Sequence, residues 1–218
     1  MYSRFFTALT FATFCTASLA HAQNDKLFQN SWFWGVHAGA TYAGTTYSSG
    51  SSGTLGAEWM ITRSVGGLYL SFDQANLNSK GAVDDPSEPS GYRAVSIHDL
   101  RTGSIAALAF PVQWGNFRPY GGLGFAISVI GNATPQADVV TQVGAAPAPV
   151  DQGIIQKTED ARSRSSVFFM GGGQWQLRQM AVFGQVSVTP STSDFLINGT
   201  ITQVSVGVRY NFGSSIER

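Results

Sequence analysis

The chain of 218 residues carries 13 basic and 13 acidic side chains, so its formal net charge is zero. This balance offers no basic surface for nucleic acid and argues against a nucleic-acid-binding protein. Charged residues make up only 12% of the chain, against roughly 25% in ordinary soluble domains, which is unusual for a surface that meets water.

The first 22 residues predict a cleaved secretory signal peptide. Arg4 precedes an apolar run that ends in Ala20-His21-Ala22, a cleavage pattern of small residues. The run is too short for a membrane helix, which disfavours the alternative of a retained anchor. The only cysteine, Cys15, lies in this segment, so we expect no disulfide and no cysteine metal site in the mature chain. Residues 23–30 are expected to form a short periplasmic tail.

Eight segments then alternate apolar and polar residues with a period of two, which predicts eight β-strands with two unlike faces. In the last of them, VSVGVRYNF, the apolar row is Val204, Val206, Val208, Tyr210 and Phe212. The predicted strands cover about Trp32–Tyr42, Thr54–Thr62, Gly66–Ala75, Val95–Val112, Arg118–Val129, Ser165–Leu177, Ala181–Thr189 and the stretch from near Thr200 to Phe212.

The fourth segment has an ambiguous alternation. Pro111 fits only at the end of the strand or at a bulge. We expect two opposed rows, with Ala106, Leu108, Phe110 and Val112 on the apolar face and Arg101, Gly103, Ala107 and Ala109 opposite.

The connectors alternate in length along the chain. Those after the second, fourth and sixth strands are short, whereas the others are long, and the longest runs from Ile130 to Arg162. This alternation places all short turns and both termini at one end. It is typical of outer-membrane barrels and predicts an all-β fold, an eight-stranded antiparallel up-and-down transmembrane β-barrel over residues 31–212. A soluble barrel of the lipocalin kind, with its apolar row inside, is the alternative.

The composition of the two rows indicates which one faces water. A soluble surface is rich in Lys and Glu, yet the chain has three lysines, Lys26, Lys80 and Lys157, and none lies in a predicted strand. The apolar row carries no charge, and aromatic residues gather near the strand ends, as in the interfacial girdles of membrane barrels. We therefore predict that the apolar row faces lipid. Isolated charges of the polar row should pair inside the barrel in a structural network of Glu58, Asp73, Arg101 and Arg209.

The final strand and the segment FRPYGGLGFAI (Phe117–Ile127) resemble strands of the small outer-membrane β-barrel superfamily, which includes the OmpA transmembrane domain, OmpX, Ail and the opacity-type proteins. Gly207, Tyr210 and Phe212 match the assembly signal of that superfamily. GSSIER follows Phe212, however, whereas the signal usually ends the protein; residues 213–218 would form a second short periplasmic tail. The resemblance implies a bacterial outer-membrane location, the barrel assembly machinery as a partner during biogenesis, and contact with outer-membrane lipid and lipopolysaccharide.

The same resemblance implies a structural or surface-interaction role, in which long extracellular loops, especially 130–162, touch an external protein. A lipid A-modifying barrel enzyme and a narrow solute or proton conduit are the alternatives. We predict no catalytic, cofactor-binding or metal-binding residue. His98 and Asp99 are adjacent in a strand, so they point to opposite faces and cannot form a dyad, and the His-x-Ser of the deacylase family is absent. DDPSE (Asp84–Glu88) is expected to be a solvated acidic loop rather than a calcium site.

Overall fold

The computed structural model describes residues 28–45, 49–88, 90–136, 152–190 and 195–214. The predicted signal peptide, most of the predicted N-terminal tail and the segment 137–151 of the longest loop lie outside these residues. In chain order the strands are β1 (Ser31–Gly44), β2 (Ser49–Thr62), β3 (Gly66–Ala75), β4 (Ser79–Asp84), β5 (Tyr92–Ile97), β6 (Leu100–Ala109), β7 (Phe117–Ile130), β8 (Ala133–Pro135), β9 (Ser163–Leu177), β10 (Met180–Thr189) and β11 (Ile201–Ser214), with helix α1 (Gln152–Asp160) between β8 and β9.

Eight of these strands close into an antiparallel barrel in the order β1-β2-β3-β6-β7-β9-β10-β11, which is the predicted up-and-down meander. The first and last strands form the seam, where Trp34 pairs with Tyr210 and Thr41 pairs with Gln203. The short turns β2–β3, β6–β7 and β9–β10 all lie at the end where β1 begins. The predicted fold class is therefore confirmed.

The barrel strands are longer than the sequence pattern indicates at two places. The predicted long connector between the first two strands is mostly strand, because β1 continues to Gly44, β2 begins at Ser49, and Ala43 pairs with Gly50. β11 likewise extends to Ser214, two residues past the predicted end of the barrel.

The apolar row faces outward and the polar row faces inward. On β11, Val206 and Phe212 are 63% and 66% exposed, whereas Arg209 between them is 1% exposed. The same alternation holds on β1, where Trp34 and Val36 are exposed and His37 is buried. Of the outward positions on the described barrel strands, only Arg101 is charged.

The fourth predicted strand is wrong in two respects. Its first part is a separate strand, β5, outside the barrel. In β6 the assigned rows are reversed, since Leu108 and Phe110 are buried inside while Arg101 and Ile105 are exposed outside. Leu108 enters the space over Gly122 of the neighbouring strand β7, where a Cβ would meet its side chain.

A second small structure, which we name the cap, closes the loop end of the barrel. It comprises the sheet β4-β5-β8, helix α1 and residues 195–197. A buried apolar cluster, including Leu77, Ile97, Ile130, Ile154 and Leu196, joins the cap to the strand ends. Lys80 lies in β4 and Lys157 in α1, not in loops as predicted. Among the described residues, no helix is long and apolar enough to cross a membrane.

Phe28 closes the opposite end. This residue belongs to the predicted free tail, but it is fully buried against the rings of Phe33 and Phe110, 5.9 and 4.9 Å away between centroids. The guanidinium of Arg118 lies 4.1 Å from its ring centroid, and its carbonyl accepts a hydrogen bond from the Thr62 hydroxyl. The end of the tail is therefore a plug and not a free segment.

Replacing Phe28 with alanine should lower the free energy of unfolding by about 3 kcal/mol, because a buried ring and its cavity contacts are lost. Guanidinium unfolding of the chain in detergent micelles measures this difference. Tyr92→Ala is the control, because the Tyr92 ring lies in the cap, outside the apolar belt, and is 51% exposed. Equal losses in the two variants would contradict the plug.

Candidate functional site

An ion pair between Arg209 and Glu58 occupies the centre of the barrel interior, and both side chains are excluded from solvent. The Arg209 Nε donates to the Glu58 carboxylate. Its Nη1 donates to Gln174 Oε1 at 2.7 Å and its Nη2 to the Tyr120 hydroxyl at 3.1 Å. The Phe183 ring stacks under the guanidinium, 3.8 Å from the ring centroid. The arginine thus has a partner on every side, as a buried cation requires.

The carboxylate side of the network is satisfied in the same way. The Tyr69 hydroxyl donates to Glu58 Oε2 at 3.2 Å. Gln185 donates to Tyr69 at 3.1 Å and accepts from Tyr120 at 3.0 Å. Residues of six barrel strands, β2, β3, β7, β9, β10 and β11, thereby share one hydrogen-bonded network.

His37 links this network to a second carboxylate. Its Nε2 donates to Asp73 Oδ1 at 2.6 Å, and its Nδ1 lies 3.6 Å from Glu58 Oε2. Asp73 also accepts from Ser71 at 3.0 Å and from Gln203 at 2.7 Å. The imidazole therefore lies between two carboxylates and is hydrogen-bonded to one of them, Asp73, through Nε2.

Two inward-facing glycines make room for these charges. A Cβ on Gly35 would lie 2.9 Å from both the Arg209 side chain and the Glu58 carboxylate. A Cβ on Gly56 would meet both partners of the His37–Asp73 pair. Glycine at these positions is therefore required by the close approach of the side chains and not by the backbone conformation.

Of the four residues predicted for the luminal network, the structure brings Glu58, Asp73 and Arg209 together and places Arg101 elsewhere. Arg101 lies on the outer face at the loop end of β6, where it pairs with Asp99 at 3.3 Å and keeps half of its side chain exposed. The prediction that Arg101 faces the lumen is wrong, because the inward and outward rows of β6 were assigned the wrong way round. Sequence reasoning also missed His37, Tyr69, Tyr120, Gln174 and Gln185 as members of the network.

On the cap side of the Arg209–Glu58 and His37–Asp73 pairs, the barrel interior contains a small cavity lined by hydroxyl groups. Thr41 and Thr54 share a 2.6 Å hydrogen bond there, and Thr102, Ser128 and Ser187 also line it. It has room for about one water molecule. The interior is therefore filled at its middle by side chains, as expected for a barrel of eight strands.

The residues of the predicted assembly signal lie on both faces of β11. Tyr210 and Phe212 face outward with ring centroids 5.0 Å apart. Gly207 faces inward, where a Cβ would meet His37 and the ring of Phe183 at 2.7 Å. Recognition of these residues by an assembly machinery stays a prediction.

The acidic loop DDPSE is exposed at Asp84, Pro86 and Ser87, as predicted for a solvated loop, but Asp85 is buried in an ion pair. Asp85 is buried and accepts from Arg93 Nε at 2.6 Å and from the Ser87 amide at 2.9 Å. Glu88 lies 3.4 Å from the same guanidinium. The Ser87 hydroxyl and the Arg93 guanidinium lower the pKa of Asp85 from 3.8 to about 2.

The neighbours His98 and Asp99 do not contact each other through their side chains. His98 Nδ1 lies 3.4 Å from Asn78 Oδ1, while Asp99 accepts from the Asn132 amide at 2.8 Å. Among the described residues, no group of three or more His, Cys, Asp or Glu side chains is arranged to hold a metal ion.

A closed eight-stranded antiparallel barrel with an apolar exterior and a polar interior defines the class of this chain. No protein-family model and no curated protein matches the sequence. Among solved structures, Neisserial surface protein A is similar with a TM-score of 0.52 and 12% identity, covering 83% of this chain and 97% of its own. Ail of Yersinia pestis matches with a TM-score of 0.48 and 13% identity over 85% of this chain and 100% of its own. The predicted resemblance to small outer-membrane barrels is confirmed for the fold.

Replacing Arg209 with methionine should lower the free energy of unfolding by roughly 3–5 kcal/mol, because Glu58 is left buried without its counter-charge. The double variant Glu58→Gln, Arg209→Met should recover part of that loss. Arg101→Met is the control, and it should cost less than about 1 kcal/mol because half of the Arg101 side chain is exposed and Asp99 keeps its bond from the Asn132 amide. Denaturant unfolding in micelles compares the three. A loss at Arg101 as large as that at Arg209 would refute the central role of the pair.

The Ser87 amide should report the titration of Asp85 with a midpoint near pH 2. Because the folded pKa is depressed, the contribution of Asp85 to cap stability is present above about pH 4 and is lost as the pH falls toward 2. NMR chemical shifts of the Ser87 amide measure the midpoint. In Arg93→Met it should rise yet stay below 3.8, since the Ser87 hydrogen bonds remain. A midpoint near 3.8 in the unaltered chain would contradict the ion pair.

Proposed function

We propose that this chain is a bacterial outer-membrane protein with a structural or surface-interaction role, which spans the membrane with its barrel and presents the cap at the cell surface. The observation that carries the proposal is the polarity of the barrel. Its outer face is exposed and apolar, while its ion pairs are inside. A soluble barrel has the reverse arrangement.

The apolar belt has the dimensions of a membrane. Its row on β1 runs from Trp32 to Tyr42; at about 3.3 Å per residue and a strand tilt of about 40°, it rises about 25 Å, the height of the apolar band of outer-membrane barrels. Among the described barrel positions Arg101 carries the single outward charge, and it lies beside Gln74 and Val129 at the loop end of the strands. It therefore lies at the upper edge of the belt.

Aromatic side chains concentrate at the lower edge of the belt. Trp32 and Trp34 pack on Trp59 with centroids 5.1 and 6.2 Å away, and Phe117 packs on Trp175 at 6.4 Å. Such rings prefer the interface between lipid and water. This girdle supports an orientation in which the short turns face the periplasm and the cap faces outward.

The likeness in fold to a surface protein adds to this proposal, and any binding would belong to the loop end. There the cap gives the loops a buried apolar core, so they form a defined surface. The extracellular loop 130–162 contributes β8 and α1 to this surface. Lipopolysaccharide and an external protein are the partners that such a surface would meet.

Gel mobility of the membrane-extracted chain, unheated and boiled in SDS, tests the proposal. A closed membrane barrel keeps its folded mobility in cold SDS and shifts only on boiling. We expect this shift, together with recovery of the chain in the outer-membrane fraction. A chain that is recovered in the soluble periplasmic fraction and shows no shift would overturn the proposal.

A further inference from the structure

A groove opens at the loop end between the last residues of β1, the first residues of β2 and the edge of the cap. We name it the hairpin groove. Its cavity volume is about 240 Å³. Six polar residues line it: Thr45, Ser49, Ser51, Ser52, Ser79 and Asn78.

The base of the hairpin groove is apolar. Ala43, Leu77 and Ile97 line it as well, and all three are buried, whereas Ser49, Ser51 and Asn78 on the rim are exposed. Thr45 Oγ1 and Ser79 Oγ lie 3.4 Å apart, which joins the hairpin to the cap across the groove. The groove therefore has an apolar base and hydroxyl and amide groups along its sides.

One hydroxyl in the hairpin groove has no partner. The Ser52 oxygen is buried and makes no hydrogen bond to any described residue. A buried hydroxyl without a partner is unfavourable, and rotation of the Ser52 side chain toward the groove would let a ligand supply that partner.

The lining also specifies the charge of the ligand. Among the described residues that line the groove, none is charged, so an anionic or cationic ligand would find no counter-charge. Hydroxyl and amide groups both donate and accept hydrogen bonds, which matches a polyhydroxylated ligand. The volume is below the roughly 300–1,000 Å³ of pockets for drug-sized ligands, which indicates a ligand the size of one sugar ring.

We propose that the hairpin groove binds a neutral saccharide, whose hydroxyls bond to the serine and asparagine residues that line it. The proposal deepens the proposed surface role and rests on it for the groove's position at the cell surface. The sugar can belong to neighbouring lipopolysaccharide or to a free glycan, and the chemistry of recognition is the same.

Two glycines of β2 provide a matched pair of variants. A Cβ on Gly50 or on Gly53 would meet no atom within 4 Å, so neither position is crowded where a side chain begins. Gly50 lines the groove and Gly53 does not. Gly50→Trp should therefore fill the groove, while Gly53→Trp adds the same side chain to the same strand outside it.

Saturation-transfer NMR on the full chain in detergent micelles tests the proposal, with the methyl glycosides of glucose, galactose and N-acetylglucosamine as probes. We expect transfer to at least one glycoside in the unaltered chain and in Gly53→Trp. In Gly50→Trp the affinity for that glycoside should be at least about ten-fold weaker. Asn78→Leu, which removes one amide from the exposed rim, should also weaken binding. A second arm with micellar lipopolysaccharide of neutral core assigns the source: transfer to its core sugars indicates a lipid-borne ligand, and transfer to glycosides alone indicates a free one.

The proposal is overturned if no glycoside or core sugar receives transfer, or if binding survives unchanged in Gly50→Trp. It is also overturned if only an acidic oligosaccharide or an extended peptide binds. These outcomes are separate from failure of the membrane proposal, because a chain that shifts on boiling in SDS yet binds no sugar overturns only the saccharide site. A chain that binds sugar but fractionates as soluble protein overturns only the membrane location.

Discussion

The ion pair of Arg209 and Glu58 is the constraint on which the rest of the barrel depends. The two residues belong to β11 and β2, and β1 passes between them with Gly35 at the level of the pair. A buried charge without its partner is strongly destabilising, so the pair forces β11, β1 and β2 into one register. That register closes the seam between the first and last strands. The room that Gly35 leaves is a condition of this closure, since any larger side chain would occupy the place of the carboxylate.

The interior is built in layers on either side of this pair. Phe28 and its ring partners close the short-turn end, and His37 with Asp73 continues the charged layer toward a hydroxyl-lined cavity and the apolar cluster of the cap. The charged groups of the central layer all lie next to partners of opposite charge or hydrogen-bonding groups, as burial of a charge requires. The layered filling makes the barrel a rigid support. The variable surface, with the cap and the hairpin groove, lies at the end where the connections are long.

For seven strands the sequence shows which row of side chains faces outward. Each of them has charged, amide or glycine residues on one row and aliphatic residues on the other. β6 lacks this contrast between Ile105 and Phe110, since both of its rows are apolar there, and alternation alone cannot orient it. The contacts of Phe110 with Phe28 and Tyr120 decide its parity. A signal was present in the neighbouring strand, where Gly122 leaves space on the inner row for Leu108. The wrong position of Arg101 follows directly from that missed signal.

The sequence by itself determined the number of barrel strands, their up-and-down order, the end that carries the long loops and the outward direction of the apolar row. These properties depend on alternation and connector length, which are local along the chain. Only the tertiary structure decided that Glu58 meets Arg209 across 151 residues, that His37 lies between two carboxylates, that Phe28 turns inward, and that the loops fold into a cap with a groove beside it. Such contacts depend on distances between strands and loops far apart in the chain. No local pattern carries them, because a buried charge or ring finds its partner only when the barrel closes.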